Sequence, residues 1–413
     1  MKKMKWIKKI CIVLSFVLAL GLLSSCAGSS DSSAASSDSG TTSVAETTQS
    51  SDGEPLSDTT SERIKGSVTK NDDGTQTVED ASGRTVTIDG DITKIAPSGA
   101  TTTMFLLTLA PEMLVGLSAS PSTKQMPYFP EYVIDLPTFG QFYGAKSTLN
   151  MESLISADPQ VIFDIGDRKV SVVSDMDSIQ NQTGIPTLFF EATLEEMPNA
   201  YRKLGQILGK EDEAEELAQF VEKTVEMAKE KSAQIKDEDK VRILFGTGTT
   251  GLAVNASGSS QSQVIDLIGA KNAVIPDIIT DSGGGTQVSL EEVYGNEPDV
   301  IILMAGGPYD ELSTNEWSDL KAVKEGKYYE IPNLPYCWMS SPPSVNMVLG
   351  VWWLGQLVYP DVYNDYDIVE VAKEYYKLFW HYDLSDEEAE EMLSKSYFKE
   401  DSASTKETTK ADK

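Results

Sequence analysis

A glutamate stands near the start of the same local phrase twice in this chain. Asn150-Met151-Glu152, then Leu154-Ile155, Asp158-Pro159 and Val161-Ile162-Phe163 match Ser289-Leu290-Glu291, then Val293-Tyr294, Glu297-Pro298 and Val300-Ile301-Ile302. Each copy reads as a capping residue, a short helix with a Glu in its first turn, a proline stop and a buried strand. The carboxylates can do either of two things. They can serve as caps, or, as two separated charges on rigid helix starts, orient a basic partner through charge-assisted contacts. Other chemistry is sparse. No G-x-S-x-G, H-E-x-x-H or G-x-x-x-x-G-K-[ST] occurs, and the single histidine, His381, lies in Phe379-Trp380-His381-Tyr382 at a predicted helix end. That leaves acid/base work to carboxylates and disfavours uptake of free zinc or manganese. Neither a metal site nor a cofactor is expected. Tyr336, Trp338 and Met339 form the densest aromatic and sulfur cluster outside predicted elements, suited to a broad, flat or greasy ligand, with buried loop packing as the alternative. Arg168 is one of only five arginines and would pair an anionic ligand group if it faced a cleft, or be an ordinary surface charge.

The bulk composition bounds what these residues can serve. The 413 residues are 40% hydrophobic and 24% charged, which fits a soluble globular protein and excludes wholesale disorder or a polytopic membrane protein. A formal charge of -30 repels phosphate backbones, so nucleic acid is not a partner. Residues 1–25 run from five lysines through an apolar stretch to Ser24 and Ser25, a secretory signal peptide whose core is too short to span a bilayer. Its removal takes the formal charge from -30 to -35 and Cys11 with it, so that once Cys26 carries an anchor, Cys337 has no partner for an intramolecular disulfide. Residues 26–65 are rich in Ser and Thr and read as a tether, and 397–413 as a disordered tail.

The elements that must position the candidates follow from periodicity. Alternation between Gly66 and Ile88, broken at Asp73-Gly74 and Ser82-Gly83, predicts an antiparallel meander. From Lys94 onward short apolar strands alternate with helices: Ile95-Ala96, Leu114 to Leu117, Val161 to Phe163 and Thr187 to Phe190. The alternation returns at Val241 to Phe245, Val300 to Met304 and Tyr328 to Ile331. The expected fold class is α/β, with an N-terminal lobe over 66–208, a connecting helix within 209–238 and a C-terminal lobe over 239–396. The helix, read from Glu211 to about Lys236, carries an apolar stripe at Ala214, Leu217, Ala218, Val221, Val225, Ala228 and Ile235. Further helices are predicted around 345–357, 368–380 and 386–393, the last with Ser385 as N-cap.

Two resemblances now become specific. Leu23-Ser24-Ser25-Cys26 resembles the lipobox of bacterial lipoproteins, which implies a diacylglyceryl anchor on Cys26 at the extracytoplasmic face of the cell membrane. Asp80-Ala81-Ser82-Gly83-Arg84, the Ile95-Ala96-Pro97-Ser98 strand end, both Glu phrases and Tyr359-Pro360-Asp361 resemble the iron-complex and cobalamin substrate-binding proteins of ABC importers, over roughly Val78 to Leu393. The resemblance implies two lobes joined by a single long helix, a ligand cleft between them, and Glu152 and Glu291 meeting arginines of the permease. Ligand-contacting residues are then expected on the cleft-facing loops: Ser98, Phe142, Tyr143, Arg168, Tyr336, Trp338 and Met339. The implied role is non-enzymatic: a monomeric receptor for a metal chelate of the iron-siderophore, haem or cobalamin class, whose partner is the ABC permease. A secreted lipoprotein hydrolase, or an adhesion or scaffold protein, is the alternative.

Overall fold

Alternating Thr and Val shape the first elements. The computed structural model describes residues 66–142, 147–275 and 285–397; the signal peptide, Cys26 and the rest of the tether, Tyr143 and residues 398–413 lie outside them. The expected meander forms from β1 (Ser67–Lys70), β2 (Thr75–Glu79) and β3 (Thr85–Asp89), paired antiparallel with Val78 opposite Val68 and Val86. Period two puts Val78, Val86 and Ile88 inward, and each is buried. Asp80 then locks the meander to the next sheet. Its carboxylate, fully buried, accepts hydrogen bonds from the backbone N–H groups of Ser82, Arg84 and Phe189, and Arg84 pairs with it at 3.4 Å.

The first lobe is built on a parallel sheet of β4 (Ile95–Pro97), β5 (Val161–Gly166) and β6 (Thr187–Glu191), with β5 central. Around it lie α1 (Ala100–Leu109), α2 (Glu131–Ile134), α3 (Met151–Ala157) and α4 (Val172–Thr183). The strand expected at Leu114 to Leu117 is reduced to isolated parallel bridges, Ile95 to Leu114 and Leu117 to Thr138. Between the two bridges, Gly116 lies against the ring of Phe139 so closely that any Cβ would collide with it.

Two helices carry the chain onward: α5 (Met197–Leu208) and α6 (Glu211–Ser232), packed side by side. Acids in the first turn of α6 and lysines in its last suit its dipole. Of the predicted stripe, Ala214, Leu217, Ala218, Val221, Val225 and Ala228 are buried. The helix ends at Ser232, short of the expected Lys236, where the chain turns so that Ile235 meets the core. α6 touches α1 and α5 on one side of the chain order and later helices on the other.

The second sheet runs β10 (Thr286–Gln287), β8 (Ala253–Val254), β7 (Arg242–Thr247), β11 (Val300–Leu303), β12 (Tyr328–Glu330), with β9 (Lys271–Asn272) also on β7. β9, β7, β11 and β12 pair in parallel. Helices α7 (Gln263–Leu267), α8 (Leu290–Asn296) and α9 (Lys321–Lys324) connect these strands. The chain closes with α10 (Met347–Val358), α11 (Ile368–Trp380) and α12 (Asp386–Leu393), the last with the expected Ser385 to Glu388 capping box. α10 is apolar all round and buried, and α6, α10 and α11 share one core with both sheets. Trp352 of α10 donates its indole N–H to Thr224 of α6 at 2.8 Å.

Candidate functional site

The duplicated phrase folds twice into the same local structure. In α3 the Asn150 side chain caps Ser153 N–H; in α8 Ser289 and Glu292 form a reciprocal capping box. The glutamate that caps is therefore Glu292, one residue beyond the repeated position. Glu152 and Glu291 are both exposed, and neither makes a hydrogen bond or ion pair with another described residue. Both helices end on a left-handed residue that is not glycine, Asp158 at φ 52° and Glu297 at φ 43°, followed by Pro159 or Pro298. Each then feeds a central strand, β5 or β11.

Parallel strands deliver their side chains to the carboxyl ends, where open α/β sheets bind ligands. At the first lobe's strand ends sit Ser98, Asp164, Asp167 and Glu191. Ser98 is 1% exposed and donates its hydroxyl to Asp164 at 2.5 Å. Its carbonyl accepts the Phe142 backbone N–H at 3.0 Å, so the structure brings these two expected residues together. Phe142 itself is buried with Phe139, Leu154 and Ile162. Asp167 follows β5, and burial pushes its carboxyl up, opposed by a hydrogen bond from Ser260 of the second lobe and by Lys169.

Arg168 turns away from this group: its guanidinium donates to the Ala81 carbonyl at 2.6 Å and braces the turn between β2 and β3. The aromatic and sulfur cluster divides. Trp338 and Met339 are 1% and 0% exposed and belong to the core, where Gly350 of α10 approaches the Trp338 carbonyl so closely that any Cβ would collide with it. Neither presents a surface to a ligand in this conformation. Cys337 is buried beside them, and burial pushes its thiol up. Tyr336 is partly buried, tilted against Phe129 at 6.2 Å and Trp380 at 5.8 Å, and burial pushes its hydroxyl up. His381 is the exposed left-handed cap of α11, at φ 52°. The described residues hold no group of three or more potential metal ligands.

Reading the sequence passed over Asp164 and Ser260. For Asp164 a signal existed, a charged residue interrupting the apolar run Val161-Ile162-Phe163-Asp164-Ile165. For Ser260, one serine among several in a polar loop, there was none.

Similarity to known proteins places this architecture. A family model described as periplasmic binding protein matches residues 96–334. The chain is 23% identical to the molybdate-binding protein MolA of Haemophilus influenzae over 57% of its length and 71% of that protein. It is 26% identical to the Fe(3+)-citrate-binding protein YfmC of Bacillus subtilis over 45% of its length and 58% of that protein. Among solved structures, an ABC transporter solute binding protein from Sulfurospirillum deleyianum superposes with a TM-score of 0.71 at 25% identity, covering 77% of this chain and 99% of that one. A periplasmic solute binding protein from Veillonella parvula gives a TM-score of 0.61 at 28% identity, over 78% and 98%. The family match runs from β4 past β12, through both sheets and over more than half the chain: the protein belongs to the periplasmic binding protein family.

Proposed function

We propose that this protein is the ligand receptor of an ABC importer, anchored by a lipid on Cys26 at the outer face of the cell membrane, and that it captures a metal chelate for delivery to the permease. The observation that carries the reading is the repeated α3 and α8 unit within the family match, each copy keeping one exposed glutamate clear of capping. Glu152 and Glu291 are the docking carboxylates; no catalysis is required. The ligand lies against the strand-end loops of both sheets, with Ser98 and Phe142 shaping the floor rather than touching the cargo. Asp164, Asp167 and Glu191 outnumber Lys169 at the first lobe's strand ends, and Arg168 is engaged with Ala81. That balance favours a neutral or cationic complex, such as a corrinoid, over a bare oxyanion.

The deciding experiment is a panel of cobalamin, haem, ferric citrate, ferric siderophores and molybdate, followed by thermal unfolding and calorimetry. One complex raises the thermal midpoint by an amount growing with the logarithm of its concentration over Kd. A panel with neither a shift nor binding heat overturns the receptor reading, and a response to molybdate alone overturns the chelate assignment.

A further inference from the structure

Two sets of contacts tie the loops of the first lobe to the second, and they differ in kind. One is aromatic: Tyr128 lies against Tyr376 and Tyr382, and Phe129 against Tyr336 and Trp380, with ring centroids 4.7 to 6.2 Å apart. Nearby, Gln125 donates to the Pro335 carbonyl at 3.0 Å. The other set is polar and passes through Gln263, at the start of α7. Its Oε1 accepts the Leu194 backbone N–H, just beyond β6, at 2.8 Å, while its Nε2 donates to the Ser260 carbonyl at 3.1 Å. The hydroxyl of Ser260 in turn donates to Gln261 Oε1 at 3.1 Å, within the same segment. One side chain thus ties the loop after β6, itself joined to the end of β5 by the Ala192 N–H to Gly166 carbonyl bond at 3.0 Å, to the Ser260 to Gln263 segment.

The two sets respond unequally to separation of the lobes. Parting the rings exposes apolar surface to water, whereas Leu194 N–H and the Gln263 amide exchange their bonds for equivalent ones to water at little net loss. We infer that Gln263 is a clasp: lobe opening releases the Leu194 N–H from Gln263 and pivots about the intact aromatic seam. The inference rests on the two-lobed fold and holds whatever the cargo. It also names the element whose stability sets how often the ligand-free cleft opens.

Hydrogen exchange of the full-length, ligand-free protein, with Q263A beside wild type, tests the clasp. In Q263A the Leu194 amide exchanges roughly ten-fold faster, the loss of about one hydrogen bond's protection, and amides in 166–169 and 257–262 speed up together while those in 126–129 do not change. Faster exchange at Leu194 alone reduces Gln263 to a local cap and overturns the clasp. Faster exchange at 126–129 overturns the pivot. Either result leaves the importer reading to be judged by the ligand panel.

Discussion

Asp80 shows how much one buried carboxylate can hold. It receives three backbone N–H groups and the Arg84 guanidinium, while Arg84 also binds Asp177 at 2.8 Å and the Thr187 carbonyl at 2.8 Å. Removing the carboxylate leaves these donors and a side chain only 10% exposed without their partner, so D80A is expected to cost about 3–5 kcal/mol in urea unfolding. A loss below about 1 kcal/mol refutes the knot. The motif Asp80-Ala81-Ser82-Gly83-Arg84 was legible in the sequence as a family mark, though not as the joint it forms. The same limit explains Trp338 and Met339. Composition identifies an apolar loop, but a side chain that lines a cleft and one that fills a core carry the same hydropathy, and only the approach of Gly350 distinguishes them here. For Arg168 the sequence offered a ligand contact or a surface charge, and the structure gives it a backbone carbonyl 87 residues earlier as a partner.

Helices were read closely because period 3.6 and capping chemistry are local. The boundaries 368–380 and 386–393 match the observed α11 and α12. What local pattern could not supply is how α5 and α6 are fastened. Arg202 of α5 bridges Glu215 at 2.8 Å and Glu222 at 2.7 Å on α6, two turns apart on the same face of that helix. Its hydrogen bonds, joined by one from Gln219, bring the Glu215 carboxyl down to about 2, against an ordinary value of 4.5. A depressed carboxyl stabilises the folded state fully above the unfolded value and loses that contribution as pH falls through the folded one. R202A is therefore expected to destabilise at pH 7 by only roughly 0.5–1 kcal/mol, since the pair is partly exposed, and by progressively less between pH 4.5 and pH 2. Chemical unfolding of both proteins across that range checks it; an undiminished difference at pH 2 rules the bridge out as the cause.

At the scale of the whole molecule, the order of strands and helices was enough to expect two α/β lobes, because buried parallel strands are apolar runs of strand length separated by helical ones. Sheet order, the antiparallel β8 and β10, and the shared helical core were not, since pairing depends on contacts far apart in the chain. The docking proposal belongs at this scale. Reversing both charges, E152K with E291K, is expected to abolish uptake of whichever complex the panel identifies while leaving its affinity intact; unchanged uptake removes the docking role. The left-handed corners at Asp158 and Glu297 carry a mechanical consequence. Each joins a short surface helix, through a stiff proline, to an interior strand of its sheet, and β5 spans about 20 Å from that corner to the Gly166 end. Under the proposed docking role the pair forms two matching cranks, and force on either glutamate would be carried along the strand to the loops at its far end.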